Sequence, residues 1–487
     1  MIKTQEAGSG MKKNILTGND SPGVRSSTKV FHVVIFTLTF VSLFIFYAVD
    51  LIGEYPVALL FELGSLFLVV AFVVIIFLFF FIDGFSLALA LLVPYMIFIG
   101  GRIIVLLITG DVEVFDYTYF TEYHPNSEEA VKLTIQAAVG FLSITVGYLA
   151  VFFGRSHKEQ MASTTIASHD LSRWGSLLLA VALPILGFEL FDKANLVRSE
   201  GYAALYQDQA SAYSGSLLSS GLTLLSLSLC FSLAGSNSLI RRIALLSYAF
   251  IYLLLGIIGQ RGPVFSLLIL VVALLVDKKS IKQKLIYMGL AIVGSLILME
   301  LFSAVTLREY SLDSRYDSSI LNFLYEQGGT LSIYGISLDI MDYPLTAYVQ
   351  NFVPGFAVVS NFIGYPVSAD QLSFGAYLSK TLNENLYDLG QGLGWSLLGD
   401  AVQFFGSFYS LFLIVLGAAL GFVDSKKEES YFYFGLWVLI LAKISFLPRA
   451  SVGSVLVPVT YYVIVWLAIY MYSRFSGSGS SRNLSRS

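Results

Sequence analysis

Two arginines stand where apolar runs of the chain are interrupted. Arg261 lies in GIIGQRGPVF and Arg449 in FLPRASVG. Glycine and proline break a helix at both places, and broken helix at membrane depth is tolerated only where it lines protein or a water-filled cavity. A guanidinium held there suits a phosphate, because its planar fork gives two parallel charge-assisted hydrogen bonds. The competing use of such a residue is snorkelling to lipid head groups.

A second group of candidates opens the largest polar segment, residues 306–395, in TLREYSLDSRYDSSILNFLYEQGGT. Asp313 or Ser314 can cap a helix there, with Gly328 and Gly329 as its stop. On that helix Arg315 and Glu326 share a face with Ser319 and Asn322, and an earlier start at Thr306 adds Arg308. Arginine, small polar groups and a carboxylate (Glu326 or Glu309) on one stripe would hold an anionic head group and a sugar. A solvated helix face would look the same. Tyr316, Tyr325 and Trp395 could stack on sugar rings, although such aromatics also form interfacial belts. Further on, Gly390, Gly392 and Gly394 lead into an apolar run that carries Asp400 near its start. That carboxylate could orient or deprotonate an acceptor hydroxyl, or simply complement a helix N-terminus.

Absences narrow the chemistry. All four histidines (His32, His124, His157 and His169) lie in the first 169 residues, and the single cysteine is Cys230. The 306–395 segment therefore offers no zinc ligand set of His and Cys and no Cys or His nucleophile. No GxxxxGK[ST] or DxD signature occurs, so neither a metal nor a cofactor is expected.

The elements that must position these groups are set by composition. Of 487 residues, 56% are hydrophobic and only 13% charged, against about 25% charged in a typical soluble domain. The net charge of −4 excludes a nucleic-acid binder driven by bulk charge. At about 20 apolar residues per crossing, the hydropathy pattern predicts an all-α polytopic membrane protein with about twelve spans. They cover 30–50, 57–82, 85–109, 131–153, 174–191, 214–235, 243–260, 263–276, 285–305, 396–423, 430–447 and 452–473. With residues 1–29 as a cytoplasmic tail, nineteen of the 29 lysines and arginines fall on the cytoplasmic side. Both termini are then cytoplasmic, with 474–487 a disordered end. Spans one to nine occupy 30–305 and spans ten to twelve 396–473, so 306–395 is one large external loop with short helices. Within it LTAYVQNFVPGFAVVSNFI (345–363) is apolar enough to lie at the interface or re-enter partway.

The GQRG break at 259–262, the YEQGG turn at 325–329 and the GxGxSxxxD pattern at 392–400 resemble the O-antigen (oligosaccharide repeat-unit) polymerases of the Wzy family. FGSFYSLFLIVLGAALGF (405–422) and the Pro448–Arg449 pair do so as well; the similarity runs from about 240 to 470. Many relatives carry glutamate where this chain has Asp400. The resemblance implies a GT-C-like, lipid-carrier-dependent glycosyltransferase of the bacterial inner membrane. It would join an undecaprenyl-pyrophosphate-linked glycan donor to a lipid-linked acceptor on the periplasmic side, with a chain-length-regulating co-polymerase as a further partner. Arg261, Arg449, Arg315 and Arg308 would hold the pyrophosphate, and Asp400, Glu326 or Glu309 would serve the acceptor. Direct displacement would invert the anomeric centre. The alternatives are a lipid-linked glycan flippase or other secondary transporter, and a polysaccharide ligase. Against a transporter stand unlike halves and ionisable groups gathered at one face.

Overall fold

Lipid offers no partner for backbone N–H and C=O groups, so a chain this apolar is forced into helices. The computed structural model describes residues 22–53, 59–82, 85–153, 168–201, 204–207, 217–277, 279–287, 289, 290, 294, 315–340 and 342–480. Among these the regular structure is helical, apart from one isolated antiparallel bridge between Tyr117 and Tyr123. The helices are α1 (Pro22–Ile52), α2 (Leu60–Phe81), α3 (Leu87–Phe98), α4 (Gly101–Thr109), α5 (Ser127–Phe153), α6 (Ser168–Glu200) and α7 (Ala204–Gln207). Then come α8 (Leu217–Ala234), α9 (Ser238–Ile258), α10 (Arg261–Val276), α11 (Ser319–Leu338), α12 (Leu345–Phe352), α13 (Phe356–Phe362) and α14 (Ala369–Leu372). The last six are α15 (Phe374–Leu382), α16 (Glu384–Asp388), α17 (Leu397–Phe405), α18 (Tyr409–Lys426), α19 (Tyr431–Ile444) and α20 (Gly453–Ser480).

Eight of the described segments are long and apolar enough to cross a bilayer, and α3 with α4 makes a ninth if that pair, bent by 50° at Gly100–Gly101, is one span. Two shorter apolar helices, Gly262–Val276 and Tyr431–Ile444, accompany them. Most of the span expected at 285–305 lies outside the described residues. The chain is thus a polytopic helical membrane protein.

Close helix approach holds the bundle together where the hydrophobic effect cannot, since lipid is as apolar as leucine. Gly147 on α5 and Gly417 on α18 face each other, and a Cβ on either would overlap a carbonyl of the opposite helix, Ile414 or Ile144. One end of the bundle is tied by Asp424 on α18. Its carboxylate accepts from the Leu87 backbone N–H (2.7 Å), the Tyr148 hydroxyl (2.9 Å) and the Trp437 indole (2.7 Å), joining α3, α5, α18 and α19. With Leu87 fixed at that end, the far end of α3 delivers Phe98 and the Gly100–Gly101 break to the opposite end, where the candidate arginines lie.

At that opposite end α11 docks onto α3 and α4. Gly101 and Gly328 make the contact: a Cβ at Gly101 would sit 2.6 Å from the Leu324 carbonyl, and one at Gly328 would sit 2.5 Å from the Arg102 backbone nitrogen. The expectation that Gly328 and Gly329 end this helix is overturned. The helix is capped by Ser318, passes through both glycines and continues to Leu338, because the glycines serve helix packing and not chain reversal. Arg315 consequently precedes the helix, and the stripe it was expected to share with Ser319, Asn322 and Glu326 does not form. The rest of the cap is a second small core in which Phe120, Ile333, Ile336, Phe374, Leu378 and Trp395 pack together. It unites residues 110–126 with the 340–395 segment, and Tyr119 donates to Gln391 across the two (2.8 Å).

Candidate functional site

Three helix breaks converge at this end. Phe98 ends α3, Phe265 lies in the first turns of α10, and Phe446 precedes the 3-10 turn Leu447–Arg449. Their rings pack edge to face, Phe98 to Phe446 at 5.7 Å and Phe98 to Phe265 at 6.2 Å. A Cβ at Gly262 would lie 3.1 Å from the Phe446 ring. The backbone of Arg261 therefore sits beside the turn that carries Arg449. The Arg261 side chain lies outside the described residues, as do Arg308 and Glu309 entirely.

Arg102, two residues past the Phe98–Gly100 bend, is the residue that sequence reasoning did not single out. Its side chain is only 3% exposed. Nη1 donates to the Asp116 carbonyl and to Ser332 Oγ, both at 2.7 Å, and Nε reaches the Tyr325 carbonyl at 3.4 Å. The guanidinium also stacks on the Tyr325 ring, 4.5 Å from its centroid. Every one of these partners is uncharged. A buried cation without a counter-ion is costly, and an anion placed beside it recovers that cost. Arg449 approaches the same helix and donates from Nη1 to Gln327 Oε1 at 3.0 Å. Tyr117, half-buried, feels both charges. Burial pushes its phenol up while Arg102 and then Arg449 pull it down, leaving it at about 12.

Arg315 is differently placed. It pairs with Asp111 (3.0 Å) and Glu113 (3.3 Å) from the 110–126 segment and donates to the Tyr325 hydroxyl (3.3 Å). Its charge is already matched, so it ties loop to loop and closes the outer side of the Tyr325 ring, 5.4 Å from the centroid. Tyr316 donates to Asp111 at 2.9 Å, which leaves the two predicted sugar-stacking tyrosines in this ion-pair cluster. Glu326 is exposed on the neighbouring position of α11.

Asp400 and Trp395 form a separate, closed unit. Asp400 is fully buried; it accepts from the Trp395 indole (2.7 Å), from Ser451 Oγ (2.9 Å) and from the Val452 backbone N–H. Trp395 is packed against Phe374 and Tyr343, at 5.2 and 5.5 Å, and is 4% exposed. It has no open face for a sugar, which corrects the stacking role expected from its residue type. The carboxylate fixes the chain just after Arg449.

A small titratable device sits on the strip that holds Arg102. Tyr117 and Tyr123 exchange backbone hydrogen bonds of 2.9 and 3.0 Å, and His124 closes the hairpin onto Asp116 at 2.9 Å and Glu122 at 3.2 Å. Hydrogen bonds that the ring donates to Asp116, then to Glu122, raise the imidazole above 6.5. Its stabilising contribution is complete below 6.5 and is lost as pH rises through the folded value. Intrinsic-rate-corrected amide exchange at Tyr117 and Tyr123 is expected to accelerate from about pH 6 to about pH 8, with the dependence abolished in His124→Asn.

The described residues thus form a bundle of membrane-length helices that carries, at one end, a buried guanidinium among uncharged partners and a second arginine on the neighbouring turn. The family model for the O-antigen polysaccharide polymerase Wzy matches residues 31–477, and the chain belongs to that family. No curated protein and no solved structure matches it. Family membership makes it a multi-pass bacterial membrane enzyme that polymerises O-antigen repeat units from lipid-linked oligosaccharides, and sets aside the transporter, flippase and ligase readings.

Proposed function

We propose that this protein transfers a growing glycan from undecaprenyl pyrophosphate to a lipid-linked repeat unit on the periplasmic side of the inner membrane, inverting the anomeric centre. The lysine and arginine distribution supports this orientation, with about twelve spans in a GT-C-like arrangement and both termini in the cytoplasm. A chain-length-regulating co-polymerase is the expected protein partner. The observation that carries the reading is the buried Arg102, whose partners among the described residues are uncharged.

Cleavage at the anomeric carbon develops positive charge on the sugar and negative charge on the departing pyrophosphate. Arg102, buried among uncharged groups, stabilises that negative charge without reorganising, and Arg449 adds a second guanidinium from the neighbouring turn. Arg261, whose backbone begins the adjacent helix, is the third arginine candidate. Arg315, already neutralised, shapes the rim, as would Arg308 from the segment before it. Glu326 is the acceptor-side carboxylate nearest Gln327 in sequence and is open to solvent, so it takes the role of base, with Glu309 the alternative. Tyr316 and Tyr325 border the sugar path.

Asp400 acts by positioning. Its removal frees Ser451 and Val452 and lets the Arg449 turn drift. Asp400→Asn is expected to lower the melting temperature of the purified protein and its polymer yield together, by an amount typical of a lost buried charge-assisted bond, about 1.5–3 kcal/mol. An inactive Asp400→Asn protein of undiminished stability would instead make Asp400 the base. The reading as a whole is tested with purified protein in liposomes, a synthetic undecaprenyl-pyrophosphate oligosaccharide of defined anomer, and EDTA. Polymer with inverted linkages is the expected product; retained linkages, or loss of polymer on adding EDTA to preparations that form it without EDTA, would overturn it.

A further inference from the structure

From Tyr343 to Ala369 the external cap contains no charged residue, yet this stretch is not buried in the cap. Phe362 is 91% exposed, Leu345 77%, Tyr365 73% and Ile363 62%. An apolar surface of this kind is foreign to a water-facing loop. Between α13 and the strap that follows it runs a groove of about 480 Å³ lined by Phe356, Val359, Ile363, Tyr365 and Pro366.

The position of this segment says what covers it. Asn351 at the end of α12 accepts from the Gly453 backbone N–H (3.2 Å) and bonds Ser451, which anchors the segment to the first turn of α20. Past that anchor the chain turns along the helix: a Cβ at Gly355 would lie 3.6 Å from the Tyr461 hydroxyl. Tyr461 is eight residues beyond Gly453, about 12 Å along the helix axis, although its side chain leans back toward the helix N-terminus. On α20 Tyr461 shares a face with the exposed Ile464 and Met471, the stripe that this helix presents to lipid. On the other flank Phe352 packs on Phe404 at 5.0 Å, next to the exposed Phe405, Phe408 and Leu411 of the α17–α18 break. The uncharged patch is thus continuous, on both sides, with the lipid-facing walls of two spanning segments.

We propose that α12 and α13 form a monotopic wedge embedded in the bilayer leaflet nearest the arginine site, with phospholipid hydrocarbon covering α13 and filling its groove. The insertion rests only on α20 crossing the membrane and not on the chemistry proposed above. The wedge places lipid at the foot of the segment that carries Arg449, two residues from Ser451.

Single cysteines at Val358 and Phe362 test this directly, because the native Cys230 is buried. Each purified variant is spin-labelled and reconstituted in phosphatidylethanolamine–phosphatidylglycerol vesicles. Its collision rates with oxygen and with a water-soluble nickel chelate are then measured. Both labels are expected to favour oxygen several-fold more than a label at the exposed Glu384, matching one at Ile464. Labels at Val358 and Phe362 that read like Glu384 would overturn the proposal. Protection from both reagents would overturn it equally, since a protein surface would then cover the patch.

Discussion

Replacing Arg102 by alanine is expected to cut polymer formation by about 100- to 1000-fold, the loss that follows removal of one fixed donor from a site where negative charge develops. In cells the surface glycan would collapse from long chains to single repeats. The substitution also takes the arginine donor from the Asp116 carbonyl, while Ser332 Oγ still donates to Phe115 and the Tyr325 carbonyl stays within its helix; an orphaned buried group costs about 1–3 kcal/mol. Arg102→Lys separates the two effects. Lysine keeps the charge, but a point donor cannot span three acceptors or stack flat on Tyr325. It should retain normal protein levels and recover only part of the activity. Full activity in either variant would remove Arg102 from the chemistry.

The second large effect is steric. Gly328→Val should separate α11 from α4, because its Cβ would lie 2.5 Å from the Arg102 nitrogen, 2.9 Å from Arg102 Cγ and 3.0 Å from the Gly101 carbonyl carbon. Backbone on the opposing helix cannot move aside as a side chain can. The loss should reach or exceed the usual overpacking cost of about 1–3 kcal/mol, visible as reduced membrane-extracted protein, a lower melting temperature and absent polymer. Gly329→Ala is the control. Its nearest neighbour would be Arg102 Nη2 at 3.5 Å, an ordinary contact, so fold and activity should survive. Equal damage from both substitutions would mean that the Gly101–Gly328 approach does not hold the site.

These two positions also show what the sequence could and could not convey. Spanning helices are legible because lipid forces a long apolar run to be helical, and the Arg261 and Arg449 breaks are legible because glycine and proline mark them. Arg102 carries the same mark, Gly100–Gly101, but it lies inside a run that reads as one uninterrupted span from 85 to 109, so the 50° bend passes unnoticed. Gly328–Gly329 reads as a helix stop because that is the common local use of glycine. Its actual use depends on Gly101, more than two hundred positions away, and no local pattern reports it. Asp400 presents the same difficulty. Trp395 is near it in the chain, whereas Ser451 and Val452, which reveal it as an anchor, are 51 and 52 positions distant. Charge-rich loops mislead for a related reason: Arg315 looks available until Asp111 and Glu113 arrive from another loop to neutralise it.

The most direct test is binding, separated from turnover. A short-chain polyprenyl pyrophosphate is titrated into detergent-purified wild-type protein, Arg102→Lys and Arg449→Ala, with affinity read by calorimetry. The wild type should bind saturably, and each variant should bind about 10- to 100-fold more weakly, the equivalent of about 1.5–3 kcal/mol for a charged hydrogen bond. Affinities unchanged in both variants, at undiminished melting temperature, would show that the diphosphate sits elsewhere and contradict the account.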